Sequence, residues 1–312
     1  MNKQPMLLDC DTGVDDAVAI LLAKHLKNLE LVTVTTVAGN VELEHTTENT
    51  LRVLEFAGMG QVPVYRGAAK PLFCELYSAH HVHGSNGLNN MILPPAKRQV
   101  EAMPAWDAIY EYAKRYAGEL TIVAIGPLTN LALALMKYKE LPKLLKRIVL
   151  MGGSATGGNV TPAAEFNIYV DPEAADMVFA CGADVTMCGL DMTMAAYLTA
   201  EELDELAGQG SKQAVFARDV LQNMLKFYRT YGLDGVAFHD PATVLYADDD
   251  ACFQTERVGI RVETKGKLTR GKTVTDLYSD KQMEHNANIV IGVDRETFLR
   301  RVFENIAQYQ GK

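Results

Sequence analysis

Ten residues near the start of the chain, LLDCDTGVDD from Leu7 to Asp16, hold four aspartates and no lysine or arginine. Crowding Asp9, Asp11, Asp15 and Asp16 into one turn costs repulsion and desolvation unless a cation or a solvated face compensates. Asp15 and Asp16 would complement the dipole of a helix starting at Val14, which leaves Asp9 and Asp11 without a reason. A hard divalent cation supplies one, because calcium takes carboxylates, backbone carbonyls and water together. Asp11 on the turn and Asp16 in the first helical turn can converge on such an ion, and Asp240 can add a third carboxylate from far along the chain. An EF-hand is excluded. Counted from Asp9, the twelfth position is Ile20, where that loop needs a bidentate Glu, and a strand pattern rather than a helix precedes the run.

Other polar clusters share one placement. Ala38–Asn40, the GPLTN run Gly126–Asn130, and MGGSATGGNVTPAAEFN each follow a predicted strand, and His239 and Asp240 directly precede a predicted helix near Pro241. These clusters and the first contain carboxylates, amides, hydroxyls and one His, but no Lys or Arg. That composition suits a neutral, hydroxyl-rich ligand on a cation. A phosphatase of the haloacid-dehalogenase-like type is the competing enzyme class. Its D-x-D-x-T/V motif would meet Gly13 at the last position, and phosphoryl transfer wants cationic groups around the phosphate. Gly152–Gly158 lacks both a P-loop Lys and a full G-x-G-x-x-G, so it reads as a loop over the ligand. His239 beside a candidate ligand can donate a proton. His80 and His81 read as a polar loop at a pocket mouth, with no second ligand cluster to make a zinc site. Tyr228 and Tyr231 end a long helix and could pack on a planar leaving group.

The elements that hold these clusters alternate. Met6–Cys10, Leu29–Ala38, Val62–Tyr65, Leu120–Ile125, Arg147–Met151 and Val185–Leu190 read as strands. Between and after them, Val14–Leu26, Glu44–Ala57, Pro104–Tyr116, Leu128–Tyr138, Pro172–Ala180, Gln213–Tyr231 and Arg295–Ala307 read as helices. The pattern predicts an α/β fold: one open, mainly parallel sheet flanked by helices, with ligands beyond the carboxyl ends of its strands. ERVGIRVET, KTVTDLYS and NANIVIGV, within Glu256–Val293, predict a few antiparallel strands at one edge. Leu72–Met103 and Gly152–Ala164 read as loops, and long loops of this kind are often binding loops. With no Pro/Ser-rich linker, residues 1–312 are expected to form a single domain.

A net charge of −9 argues against nucleic acid as a partner. No apolar stretch is long enough to span a bilayer, and the first residues carry too short an apolar run for a signal peptide. The five cysteines fit no zinc spacing and are expected to be reduced, mostly buried thiols of a cytoplasmic protein.

Taken in order, LLDCDTGVDDAVAI, VAGN, HGSNGL, GPLTN, MGGS, NVTPAAEFNIYVDPEAA and HDP resemble the inosine–uridine-preferring nucleoside hydrolases over nearly the whole chain. TPAAEFNIYVDPEAA looks most like the pyrimidine-preferring bacterial members. Thr12 stands where the family often has proline. The resemblance implies a calcium ion held by Asp11, Asp16, Asp240 and the backbone carbonyl of Ile125. It implies that Asp15, Asn40, Asn159, Glu165 and Asn167 hold a ribose, with Met151 packed beneath it. Asp11 would also be the general base and His239 the acid, with His83 and Phe166 on the base side. The implied reaction is hydrolysis of the N-glycosidic bond of ribonucleosides by a dimer or tetramer. The competing non-enzyme is a nucleoside- or ribose-binding protein with a structural calcium, which has no need of a base–water–acid set.

Overall fold

The structure is a computed structural model and describes residues 3–277 and 283–309. The first half of the chain runs β1 (Gln4–Cys10), α1 (Val14–Ala23), β2 (Leu29–Thr36), α2 (Leu43–Phe56), β3 (Val64–Arg66), α3 (His80–His83), α4 (Ala105–Arg115), β4 (Leu120–Ala124), α5 (Thr129–Lys137), α6 (Leu141–Leu144) and β5 (Leu145–Met151). The second half runs α7 (Phe166–Val170), α8 (Pro172–Phe179), β6 (Val185–Cys188), α9 (Leu190–Thr193), β7 (Tyr197–Thr199), α10 (Ala200–Gly208), α11 (Lys212–Thr230), β8 (Gly235–Ala237), α12 (His239–Asp248), β9 (Phe253–Val262), β10 (Thr273–Asp276), β11 (Ala287–Val293) and α13 (Arg295–Ala307).

Among the described residues a nine-stranded sheet has the order β10-β9-β11-β6-β5-β4-β1-β2-β3. From β3 to β11 every neighbouring pair is parallel. β9 runs antiparallel to β11, and β10 antiparallel to β9. The expected parallel sheet and its antiparallel edge are therefore both present, although Tyr278 and Ser279 of the KTVTDLYS run lie outside the described residues. β1 lies between β2 and β4, so the direction of winding reverses beside it. Such a switch point opens a crevice at the carboxyl ends of the strands.

β1 shows why this segment is central. Its side chains alternate between faces: Met6, Leu8 and Cys10 enter one apolar cluster and Leu7 the other. All ten residues of α1 are buried. An apolar helix with no solvent face has to be enclosed, and α12, equally buried over its length, packs against it.

Several expectations need correction. Leu72–Met103 is not wholly loop, because α3 makes one turn inside it. The strand expected to reach Leu190 ends at Cys188, since α9 starts at Leu190. The helix expected near Pro241 begins at His239, so the His–Asp pair sits in its first turn. All five cysteines are free, with Cys10, Cys188 and Cys252 buried.

Candidate active site

The acidic turn leaves the end of β1 and enters α1 within four residues. Asp16 closes this turn on itself, accepting from the backbone N–H of Asp11 at 3.2 Å and of Gly13 at 2.9 Å. Asn40, after β2, donates its backbone N–H to Asp11 Oδ2 at 2.7 Å and its side-chain amide to Asp16 Oδ2 at 3.0 Å. Glycine flanks Asp11 because nothing larger fits. A Cβ on Gly39 would fall 2.1 Å from Asp11 Oδ2, and one on Gly126 would fall 2.7 Å from Asp11 Oδ1.

The carboxylates of Asp15, Asp16 and Asp240 bring oxygens within 4.8 Å of one another. Asp11 adjoins this trio and adds to the repulsion felt by Asp240. All four are buried. Burial, reinforced by the charge of Asp16, pushes Asp15 up to about 7 and raises Asp11 well above the carboxylate range. Burial and the charges of Asp15, Asp16 and Asp11 raise Asp240 in the same way. Asp11 Oδ1 is buried and meets no hydrogen-bond partner. Four enclosed acids with an orphaned oxygen are what a hard divalent cation would satisfy, and the residues present fit one.

Beside them lies a cavity of about 360 Å³. Its lining includes Asp15, Asn40, His83, Ile125, Met151, Asn159, Glu165, Phe166, Asn167, Tyr228, Tyr231, His239 and Asp240, with no Lys or Arg among the described residues. The structure thus brings the expected ligand-side residues to one place, while Asp11 and Asp16 lie beneath the lining. On one wall, Glu165 accepts from the backbone N–H groups of Gly153, Asn167 and Ile168 at 2.9–3.1 Å. Burial still lifts its carboxyl to about 7. Asn167 donates to the carbonyls of Ile125 and Met151, each at 3.1 Å, so it ties the ends of β4 and β5. Asn159 accepts from the Phe166 N–H at 3.0 Å.

On the opposite wall, His239 Nε2 lies 2.6 Å from the Tyr228 hydroxyl and Nδ1 lies 2.8 Å from Thr193 Oγ1. Burial holds this imidazole down at about 4, so the ring is neutral at pH 7. His83 is buried, accepts from the Val14 N–H at 3.2 Å and is held down at about 3. It therefore braces the acidic turn as well as lining the cavity. His81 reaches the lining, while His80 faces Glu42 across 3.2 Å outside it.

Several lining or supporting residues carried no chemical signal in the sequence. Met224 and Phe227 fall on one stripe of α11 beside the expected Tyr228 and Tyr231, and Met194 and Leu233 complete an apolar mouth. Their helical spacing was visible, but an apolar stripe ordinarily means core. Thr193 is buried and marked by nothing until His239 is placed against it.

A doubly wound sheet with enclosed acids at its switch point, beside a cavity with no Lys or Arg in its described lining, suits a small, neutral ligand on a cation. The model of the family described as inosine-uridine preferring nucleoside hydrolase matches residues 6–300, and the chain belongs to that family. It is 40% identical over 309 residues to a pyrimidine-specific ribonucleoside hydrolase, RihA, of Shewanella sp. (strain ANA-3), covering 98% of this chain and 97% of that protein. It is 38% identical to the RihA of Photobacterium profundum, covering 98% and 100%. A plant nucleoside hydrolase, the PpNRh1 enzyme, superposes with a TM-score of 0.93 at 34% identity, covering 98% of this chain and 99% of that one. A purine-preferring ribonucleoside hydrolase from Gardnerella vaginalis does so with 0.92 at 34% identity over the same shares. The chain is an enzyme that hydrolyses ribonucleosides.

Proposed function

We propose that Asp11 is the general base and His239 the leaving-group acid of this hydrolysis, and that the cation is calcium, held by Asp11, Asp16, Asp240 and the Ile125 carbonyl. The observation that carries the reading is the orphaned, buried Asp11 Oδ1 beside three further enclosed carboxylates. An all-oxygen donor set of carboxylates and a carbonyl suits calcium better than softer metals. Calcium bound there would lower the pKa of a water and orient the ribose 2′- and 3′-hydroxyls.

The side chains supply the rest. Asp15, Asn40, Asn159, Glu165 and Asn167 grip the ribose hydroxyls, and Met151 packs under the ring. As the bond from C1′ to the base nitrogen breaks, positive charge grows on the sugar, by analogy with other glycoside cleavage. Ionised carboxylates and amide oxygens around it favour that charge. Asp11 takes a proton from the water whose oxygen bonds to C1′. The base leaves with the bonding pair and takes a proton or hydrogen bond from His239. Phe166, His83, Tyr228 and Tyr231 flank the departing base.

We further propose a lean toward pyrimidine nucleosides, supported by the names of the curated relatives, and an assembly of two or four copies of a single-domain chain. A phosphatase reading is disfavoured by the absence of Lys and Arg from the lining among the described residues. Reducing-sugar release is the direct test, run across uridine, cytidine, inosine and adenosine before and after chelation. Uridine and cytidine should lead, and chelation should abolish release until calcium is restored. Asp11→Ala should remove turnover by a factor of about a thousand or more, since it takes away the base and a cation ligand together. Full turnover in that variant would remove Asp11 from its role.

A further inference from the structure

Asp9 is as buried as Asp11, yet no step of the hydrolysis uses it, and neither does Asn130 of the GPLTN run. We infer that Asp9 and Asn130 are positioning residues: their contact sets the spacing of the strand ends that carry Asp11, Asn40 and the Ile125 carbonyl. The inference rests on the proposed cation and ribose roles of those three groups.

Asp9 lies within β1, two residues before Asp11. Its Oδ1 accepts from the Thr35 hydroxyl of β2 at 2.5 Å and from the Asn130 amide of α5 at 2.8 Å. The same amide donates to the Thr36 carbonyl at 3.0 Å, and Asn130 Oδ1 accepts from the Ala68 N–H at 2.9 Å. The backbone closes the frame. Ile125 N–H donates to the Asp9 carbonyl at 2.8 Å, Val37 N–H to that of Cys10 at 3.0 Å and Ala38 N–H to that of Ala68 at 3.0 Å. One carboxyl–amide contact therefore joins the ends of β1 and β2 to α5 and to the loop after β3. α5 itself starts four residues beyond Ile125.

The space is closed. A Cβ on Gly67 would fall 2.1 Å from Asn130 Oδ1. Apolar side chains would fill such a volume without desolvating a carboxyl, and a buried polar pair of this kind is best explained by the geometry it fixes. The frame touches no ligand directly; it holds the backbone from which the ligands hang.

An exchange of the two partners tests this. Asn130→Asp sets two acceptors against each other, at Asp9 and at the Thr36 carbonyl. Its calcium affinity, read by calorimetry on the full chain, should fall by about tenfold, the lower range for groups that orient metal ligands. Its KM for uridine should rise. Asp9→Asn keeps the accepting oxygen and should stay within about threefold of wild type. The double variant Asp9→Asn with Asn130→Asp restores a donor–acceptor pair, because the Thr35 hydroxyl can accept as well as donate. It leaves the Thr36 carbonyl facing an oxygen, so it should regain only part of the calcium affinity. A purely structural role would lower the melting temperature and leave the calcium affinity of the folded chain unchanged. If Asn130→Asp does not fold, Thr35→Val removes one donor at nearly constant volume and should weaken calcium by about threefold. Unchanged affinity in folded Asn130→Asp (or, where that variant does not fold, in Thr35→Val), or a double variant no better than Asn130→Asp, overturns the inference alone. Wild-type chain that takes up no calcium overturns the functional reading and this inference with it.

Discussion

His239 illustrates how a side chain is tuned by two neighbours. Its ring nitrogens meet the hydroxyls of Tyr228 and Thr193, both able to donate or accept, so the imidazole can hand over a proton without losing its place. Burial favours the neutral ring, whose N–H can donate a hydrogen bond to the departing base; full proton transfer requires the ring to be protonated first. A base that leaves poorly needs this proton, whereas p-nitrophenolate does not. His239→Ala should therefore lower kcat on uridine by about a hundredfold or more and leave p-nitrophenyl riboside nearly untouched. Equal losses on both substrates would remove His239 as the acid. The sequence announced His239 through its neighbour Asp240, but held no hint of Thr193, because one threonine in a short helix looks like any other.

Elements were legible in proportion to their length and periodicity. The β1–α1 unit and α11 were readable because apolar residues recur at the right spacing over many positions. The β7–β8 pair escaped because each strand is three residues long and pairs with a partner more than thirty residues away. The segment after β5 was correctly read as a loop, but what holds it was not. Asp191 accepts from the backbone of Ala155 at 2.7 Å and from the Thr156 hydroxyl at 2.9 Å, while Lys272 Nζ donates to the carbonyls of Ser154, Ala155 and Thr156. These anchors come from α9 and from the approach to β10, far away in sequence. Asp191→Ala should free the loop that carries Asn159 and raise KM for uridine by about three- to tenfold with little change in kcat. An unaltered KM would show that the loop keeps its position by other means.

For the molecule as a whole, enclosed acids make stability depend on pH and on the cation together. Asp9, Asp15 and Glu165 are each pushed up to about 7, from ordinary values of 3.8, 3.8 and 4.5. Between those limits the folded chain keeps protons that the unfolded chain has lost, so stability falls as pH rises. His83 and His239, held down at about 3 and about 4, act the other way below their ordinary 6.5. The acids outweigh them, since Asp11, Asp16 and Asp240 are raised as well. In chelator, the melting temperature should decline between roughly pH 5 and pH 8. Saturating calcium favours the ionised aspartates and should flatten or reverse that slope. A chelated chain whose melting temperature climbs over this range would contradict the assigned burial of charge. The mainly parallel sheet and its antiparallel edge followed from alternation and composition, whereas the strand order and this coupling appear only in the folded chain, once Asp240 is set against Asp15 and Asp16.

That last contact has a consequence for synthesis. α12 carries Asp240 and packs on α1, yet more than two hundred residues separate the two in the order of translation. A nascent polypeptide can complete the strand ends of β1, β2 and β4 early, but its acidic pocket stays open on one side until α12 leaves the ribosome. With Asp240 in its proposed role, nucleoside cleavage would wait for α12, and catalytic competence would arrive together with the closing of the core.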